Sequence, residues 1–174
     1  CIIKRVLTTV DILSFSSNLK LKLDKFLGLV LIQPGYFSHL LKDDPVRPHL
    51  SEAFRLSANR LSLALVCSNI EKAAVCVAMT CKVPKNEIEL EQFSAGSLDD
   101  KNPIAIFYTI WSYEKGFGRK ILFEAVKWLN TNKTHVKRIV TLSPKNNMAR
   151  NFHTKNGAIE LNVNKDSVNF EYFI

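Results

Sequence analysis

Apolar and polar residues alternate with a period of two in two parts of the chain, and each part predicts a β-hairpin. Residues 61–67 and 75–79 alternate on either side of a polar turn, AsnIleGluLys, at residues 69–72. Near the end of the chain, residues 159–163 and 168–174 alternate on either side of AsnLysAsp. Both hairpins are expected to be antiparallel and adjacent in a sheet.

A continuous apolar run at residues 104–113 predicts a central strand, because it is apolar on both faces. The run ends at GlyPheGly, and residues 119–130 then place their apolar side chains on one face of a helix. A short buried strand is predicted at residues 29–32. Two short helices are predicted at residues 36–42 and 49–58, around a turn rich in Asp and Pro.

Two stretches have weaker patterns. Residues 18–24 alternate Leu with Lys, which fits a strand or a helix, and the context favours a helix. Residues 84–102 are polar and are expected to be a linker. Together the elements predict one α/β domain, a mixed and mostly antiparallel sheet flanked by helices. Residues 1–60 form its helical and first-strand portion, and residues 61–174 form the sheet core.

The segment from Arg138 to Ala158 predicts a strand, a tight turn and a short helix. Pro144 stops the strand and Gly157 ends the helix. Ser143 leaves the strand and His153 lies in the helix, so both can face one cleft. Each also has a structural interpretation, since serine is common in turns before proline and a lone histidine is often a hydrogen-bonded core residue.

A glycine turn leads from the central strand into the next helix. Gly116, Phe117 and Gly118 allow backbone to approach a ligand closely, and the free N–H groups of the helix start favour phosphate. Arg119 and Lys120 in the first helical turn oppose the helix dipole, which pyrophosphate binding would explain. The alternative is that both side chains simply face water.

In this order, the motifs resemble the GNAT acyltransferase superfamily and, within it, the malonyl-CoA decarboxylases. The resemblance extends from about Leu61 to Ile174. It rests on ValAlaMetThr at 77–80, AlaIlePheTyrThrIle at 105–110, ThrLeuSerPro at 141–144 and PheHisThrLysAsnGlyAla at 152–158. It implies a GNAT-like fold that binds malonyl-CoA or acetyl-CoA at the glycine turn.

The resemblance also implies roles for individual residues. Ser143 would orient the malonyl carboxylate, and His153 would hydrogen-bond to it or protonate the carbanion. Backbone N–H groups of Tyr108, Thr109 and Ile110 would stabilise the enolate oxygen and hold the CoA arm. No metal and no cofactor other than coenzyme A is implied.

Departures from the decarboxylase pattern leave other functions open. Nine residues separate Ser143 from His153, where the family has a long helical insert, and the family's helical amino-terminal domain has no room in the chain. An N-acetyltransferase that uses Glu89, Glu91 or His153 as a base is one alternative. A non-catalytic subunit that docks on a larger assembly through a basic surface is another.

Composition narrows the setting. Apolar stretches are interrupted before they could span a bilayer, so the chain is expected to be soluble and intracellular, in the mitochondrial matrix or cytoplasm. Four cysteines without CxxC spacing predict buried thiols in a reducing compartment, and four scattered histidines argue against a metal site. The net charge of +8 fits a lysine-rich surface or a polyanionic partner such as coenzyme A. Nucleic acid is not favoured, since no recognition motif is present, but it stays open.

Overall fold

The computed structural model describes residues 27–96 and 101–173. In this part of the chain one sheet of eight strands has the order β1-β2-β3-β4-β5-β8-β6, with β7 paired to β8. The strands are β1 Leu27–Leu31, β2 Arg60–Cys67, β3 Ile70–Thr80, β4 Ile104–Ser112, β5 Arg138–Thr141, β6 Ser143–Pro144, β7 Ile159–Val163 and β8 Ser167–Tyr172.

Helices cover both faces of this sheet. They are a 3-10 helix at Ser38–Asp43 and the α-helices α1 Glu52–Arg55, α2 Glu87–Ser94, α3 Phe117–Asn132 and α4 Asn147–Lys155. Among the strand pairs of the described residues, only β4 and β5 run parallel, joined by α3, and the other pairs are antiparallel. The predicted α/β fold with a mixed, mostly antiparallel sheet is confirmed.

Two hydrophobic cores lie on opposite faces of the sheet. The first includes Phe107, Leu122 and Phe170 and lies under α3 and α4. The second includes Tyr108 and Leu90 and lies under the 3-10 helix and α2. The central strands bury side chains on both faces, and β4 is mainly apolar on each of them, as the sequence predicted.

The first hairpin is tighter than predicted. Its turn consists of Ser68 and Asn69, both with positive φ angles of 51° and 59°, so Ile70 already belongs to β3. Positive φ at both central residues matches the twist of a two-residue hairpin, and Asn tolerates it well. The expected four-residue turn at 69–72 was therefore wrong.

The predicted polar linker at 84–102 was also wrong, because it contains α2. The side chain of Asn86 caps this helix by accepting a hydrogen bond from the N–H of Glu89 at 2.9 Å. Leu90 anchors it in the second core. The predicted helices at 36–42 and 49–58 are shorter in the structure, as the 3-10 helix and α1. The expected helix at 18–24 lies outside the described residues.

The cysteines differ in their exposure. Cys76 is buried, and burial raises the pKa of its thiol. Cys67 is half-buried, and Cys81 is exposed, so the expectation of buried thiols was wrong for Cys81. Cys1 lies outside the described residues.

The pairing of the central strands β4 and β5 stops partway along β4, at the end of β5. Their parallel pairing ends at Phe107 and Thr141, although the N–H of Leu142 still donates to the carbonyl of Phe107 at 3.0 Å. At the same point β4 has a bulge, because Cys76 pairs with Thr109 and Val77 with Phe107. The intervening residue has no partner on β3. A bulge redirects a strand, and here it opens a cleft between β4 and β5.

A buried ion pair fixes the loop beside this cleft. Arg55 is fully buried, and its Nη1 lies 2.8 Å from Oδ2 of Asp44. The other carboxylate oxygen, Oδ1, accepts hydrogen bonds from the N–H groups of Val46 and Arg47 at 2.8 and 3.1 Å, and from the hydroxyl of Thr109 at 2.8 Å. The carboxylate therefore joins α1, the loop at 44–47 and β4.

We expect Arg55→Met to destabilise the fold by about 3–5 kcal/mol, because it leaves the carboxylate of Asp44 buried without its cation. Adding Asp44→Asn should recover part of that loss. Urea unfolding measures both effects. Arg138→Met is the matched control, since the Arg138–Glu171 pair is partly exposed and should cost about 1 kcal/mol or less. Equal losses from the two arginine variants would contradict the prediction.

Candidate functional site

The cleft between β4 and β5 has a volume of about 330 Å³. The loop at 44–47 closes one side of it, and the starts of α3 and α4 flank the other. Most of its walls are apolar. The lining residues are Pro45, Val46, residues 107–112, Gly118, Ser143, Pro144, Asn146, Met148, Ala149, Phe152 and His153.

The structure brings Ser143 and His153 together in this cleft. Ser143 begins β6, two positions after the end of β5, and His153 lies on α4. Both are buried, with exposures of 4% and 6%. The hydroxyl Oγ of Ser143 lies 2.9 Å from Nε2 of His153. The sequence predicted that both face one cleft, and the structure adds that they form a hydrogen bond.

Two residues that the sequence did not indicate extend this contact into a chain. Nδ1 of His153 lies 2.7 Å from the hydroxyl of Tyr172, and Ser143 Oγ donates to Oγ1 of Thr141 at 2.8 Å. Because the serine hydroxyl has a single proton, it accepts from Nε2–H of His153. The unprotonated Nδ1 then accepts from the Tyr172 hydroxyl. The chain of donors therefore runs from Tyr172 through His153 to Ser143.

All members of this chain are electrically neutral. Burial lowers the pKa of His153 to about 4, so its imidazole is uncharged at neutral pH. Burial also raises the pKa of Tyr172. The imidazole stacks on Phe170, with ring centroids 4.9 Å apart. A neutral, packed imidazole suits a donor of fixed direction better than it suits a cation.

Local sequence signals hold α4 in place. The side chain of Asn146 caps its start by accepting from the N–H of Ala149 at 2.8 Å. Gly157 ends it with a φ of +89°, a conformation that favours glycine. The helix thus begins at the wall of the cleft and places His153 two turns further on.

The glycine turn reaches the same cleft from the other side. Gly116 caps α3 with a φ of +90°. The N–H groups of Phe117 and Lys120 donate to the carbonyls of Glu114 and Gly116. Gly118 lines the cleft, and a Cβ there would lie 3.6 Å from side-chain atoms of Phe152 and Ser112. The N–H groups at positions 118 and 119 lie in the first helical turn, where no intrahelical carbonyl is available.

The side chains of Arg119 and Lys120 are exposed, as the interpretation that both face water requires. The guanidinium of Arg119 lies 4.9 Å from the ring centroid of Phe123, and Nζ of Lys120 lies 5.9 Å from that of Phe117. These aromatic contacts give both cations a structural reason for their position. They also leave the charges at the rim beside Gly118.

The three residues predicted on β4 all line the cleft, and their side chains differ in environment. The ring of Tyr108 points into the second core, and the hydroxyl of Thr109 donates to Asp44. Ile110 lines the cleft. Glu89 and Glu91 lie on α2 and do not line the cleft, so a base role for either has no geometric support. None of the lining residues is Asp or Glu.

A third residue missed by the sequence is Arg47. It is 5% exposed, and it donates from Nη1 to the carbonyl of Tyr108 and from Nη2 to the carbonyl of Leu142, the latter at 2.9 Å. Its Nε donates to Glu87 at 2.8 Å. In the sequence it appears only as part of a turn with two prolines, which gives no sign of these contacts.

Over residues 27–96 and 101–173, no group of His, Cys, Asp and Glu side chains could hold a metal ion. Within the same ranges, no helix is both long enough and apolar enough to cross a membrane.

Several solved structures share this fold. Malonyl-CoA decarboxylase from Agrobacterium vitis aligns with a TM-score of 0.60 and 22% identity, over 89% of this chain and 44% of that one. The GNAT domain of S. lividans PAT aligns with a TM-score of 0.60 and 12% identity, over 84% of this chain and 89% of that one. An acetyltransferase from Bacillus subtilis in complex with CoA aligns with a TM-score of 0.57 and 11% identity, over 86% and 99%.

At these identities the likeness shows the fold, which is that of GNAT acetyltransferases and malonyl-CoA decarboxylases. The chain spans less than half the length of the Agrobacterium decarboxylase. No family model matches the sequence. No curated protein sequence matches it either.

The burial of His153 makes the stability depend on pH. Because the pKa falls from 6.5 to about 4 on folding, the unfolded chain binds this proton first as the pH decreases. Stability is therefore lost as the pH falls from about 6.5 to 4, by about 3 kcal/mol from this residue. Urea unfolding of wild type and His153→Gln at several pH values should show this difference. The exposed His39→Gln is the control, and equal pH dependence in wild type and His153→Gln would contradict the assignment.

Proposed function

We propose that this chain binds acyl-CoA in the cleft and converts malonyl-CoA to acetyl-CoA and CO₂. The observation that supports this most directly is the donor chain from Tyr172 through His153 to Ser143. The Ser143 hydroxyl lies at the cleft wall. It accepts from His153, and its one proton, which goes to Thr141, would turn to the carboxylate of a bound malonyl group. A carboxylate is an acceptor only, so a donor of this kind fits the carboxylate of a malonyl group.

Coenzyme A would lie along the start of α3. The free N–H groups at positions 118 and 119 would bind the pyrophosphate, and the exposed Arg119 and Lys120 would supply positive charge at the rim. The pantetheine arm would then run beside the open edge of β4, along Tyr108, Thr109 and Ile110. That places the thioester near Ser143 and His153. Gly116 and Phe117 shape the turn but leave the ligand contacts to the next two residues.

The surroundings favour loss of CO₂. Phe107, Ile110, Trp111 and Phe152 line the cleft, and no lysine or arginine does. A carboxylate there is held by neutral donors in apolar surroundings, which stabilise its localised charge poorly. Breaking the carbon–carbon bond moves the electron pair into the thioester enolate, whose oxygen would accept from the backbone of β4. The α-carbon then takes a proton from the donor chain, which water refills.

A second candidate is transfer of an acyl group to an amine. The fold supports this candidate, since this chain aligns with most of the length of each of the two acetyltransferase structures. The base would have to be His153, because no carboxylate lines the cleft. Its Nε2, however, donates to Ser143 in the hydrogen-bond chain. The geometry therefore favours decarboxylation. A non-catalytic subunit that keeps the fold is the third candidate. The basic composition is the one observation that supports it.

Ser143→Ala and His153→Gln should each lower kcat for CO₂ release from malonyl-CoA by about a hundredfold, because the carboxylate loses its donor and the α-carbon its proton source. Calorimetry should show unchanged binding of acetyl-CoA, which has no carboxylate. Lys155→Ala, on the same helix and exposed, is the matched control. Undiminished CO₂ release in His153→Gln, or acyl-CoA consumption that requires an added amine, would refute the decarboxylase proposal.

The two glycines of the turn give a second test. Gly118→Ala should weaken binding of acetyl-CoA by about tenfold, since a Cβ would block the backbone approach of phosphate. The fold should tolerate it, because the new Cβ makes ordinary contacts. Gly116→Ala should instead lower stability by about 1–2 kcal/mol, because alanine is strained at positive φ. Equal affinities for wild type and Gly118→Ala would place coenzyme A elsewhere.

A further inference from the structure

A second, larger cavity lies behind the cleft. It is a groove of about 830 Å³ on the α2 face of the sheet, between the start of α2 and the turn that joins β7 to β8. Lys85, Glu87 and Asp166 line it, so it presents charges of both signs to solvent. Its polar walls contrast with the apolar walls of the cleft.

Only one layer of polypeptide separates the groove from the cleft. Leu142 lines the groove, and the next residue, Ser143, lines the cleft. In the same way Arg47 lines the groove and Val46 lines the cleft. The groove and the cleft therefore lie on either side of the backbone at residues 46–47 and 142–143.

Arg47 closes the remaining gap in this layer. The β4–β5 ladder ends at Phe107 and Thr141. Tyr108 is the next residue of β4, and Leu142 follows the end of β5. Arg47 donates to the carbonyls of both, one from each terminal nitrogen. Its planar fork thus spans the strands at the point where their own pairing stops.

Further contacts hold this guanidinium in place. Nε of Arg47 donates to Glu87 on α2, and the backbone carbonyl of Arg47 accepts from Nη2 of the buried Arg55 at 2.6 Å. All three arms of the guanidinium are occupied by groups of the protein. These contacts from all three nitrogens hold the guanidinium plane across the gap between the two strands, so the residue acts as a wall.

We propose that Arg47 is a specificity-determining residue, which closes the β4–β5 split to any second substrate. This rests on the function proposed above. Acyl transfer requires a nucleophile to reach the thioester carbon. With coenzyme A filling the cleft from α3, the groove offers the other approach to that carbon. By blocking it, Arg47 restricts the site to acyl-CoA thioesters whose reaction needs no acceptor beyond a proton.

A thiol at position 143 tests the wall directly. Ser143→Cys is treated with a small charged methanethiosulfonate reagent, with and without saturating acetyl-CoA, and the labelled peptide is identified by mass spectrometry. With Arg47 present, bound acetyl-CoA should protect the thiol. In the Ser143→Cys, Arg47→Ala double variant, protection should be lost while calorimetry still shows acetyl-CoA binding, because the reagent now enters from the groove.

Two matched variants distinguish loss of the Arg47 barrier from a nonspecific loosening of the structure. Lys85→Ala removes another cation of the same groove, and Glu87→Gln keeps the guanidinium fork on the two carbonyls. Both should retain protection. The same experiment on wild type and Arg47→Ala, with hydroxylamine in place of the labelling reagent, should give hydroxamate and free CoA thiol faster than the protein-free reaction only in the variant.

Labelling of the thiol while acetyl-CoA is bound and Arg47 is present would overturn the proposal, and so would retained protection in the Arg47→Ala variant. If Arg47→Ala does not fold, the Ser143→Cys protein with Arg47 intact still tests the proposal, because labelling of its thiol while acetyl-CoA is bound would overturn it. Failure of acetyl-CoA to bind in calorimetry would overturn both the wall and the function on which it rests. Binding without CO₂ release would remove the decarboxylase activity alone.

Discussion

The separation of two parallel strands is the constraint on which the rest of the structure depends. Once β4 and β5 diverge beyond Phe107 and Thr141, backbone groups at the centre of the molecule lose their ladder partners, and buried backbone groups must find others. On the groove side Arg47 supplies them. On the cleft side the exposed edge of β4 remains available to a ligand. The same gap therefore explains both the buried arginine and the proposed substrate site.

This constraint also explains why charged residues are so deeply buried here. Arg47 has to be rigid to fit two carbonyls at once, and a short loop cannot provide that rigidity alone. The loop is held by Asp44, which is in turn held by Arg55. Burying such a pair is costly in free energy, and specificity of conformation is a reason to retain one. In this protein the retained conformation is that of the wall between the two cavities.

The sequence predicted the fold and part of the site, for reasons that lie in particular residues. Alternation in β2, β3 and β8, the apolar run of β4 and the strand–turn–helix around Ser143 and His153 are local patterns. Tyr172 and Thr141 were not indicated, because their role arises only when β8 pairs beside β5. Arg47 was missed for the same reason, since its partners lie 61 and 95 positions away. Helix α2 was missed although Asn86 and Glu89 carried a cap signal, because too few apolar residues accompanied it.

Strand β7, which pairs with β8 at the margin of the sheet, affects how the protein meets other molecules. All five residues of β7 are exposed, and Ile159, Leu161 and Val163 are apolar. Among residues 27–96 and 101–173, β8 is the strand that pairs with β7, so the other edge of β7 has no partner there. Such an edge is a template for a second molecule, and charged side chains normally discourage this. Glu160 is the charged residue of this strand, and Arg150 lies 2.9 Å from its carboxylate, which offsets that charge. The edge of β7 is therefore suited to pairing with a second molecule in concentrated solution, and β7 contributes no residue to the cleft.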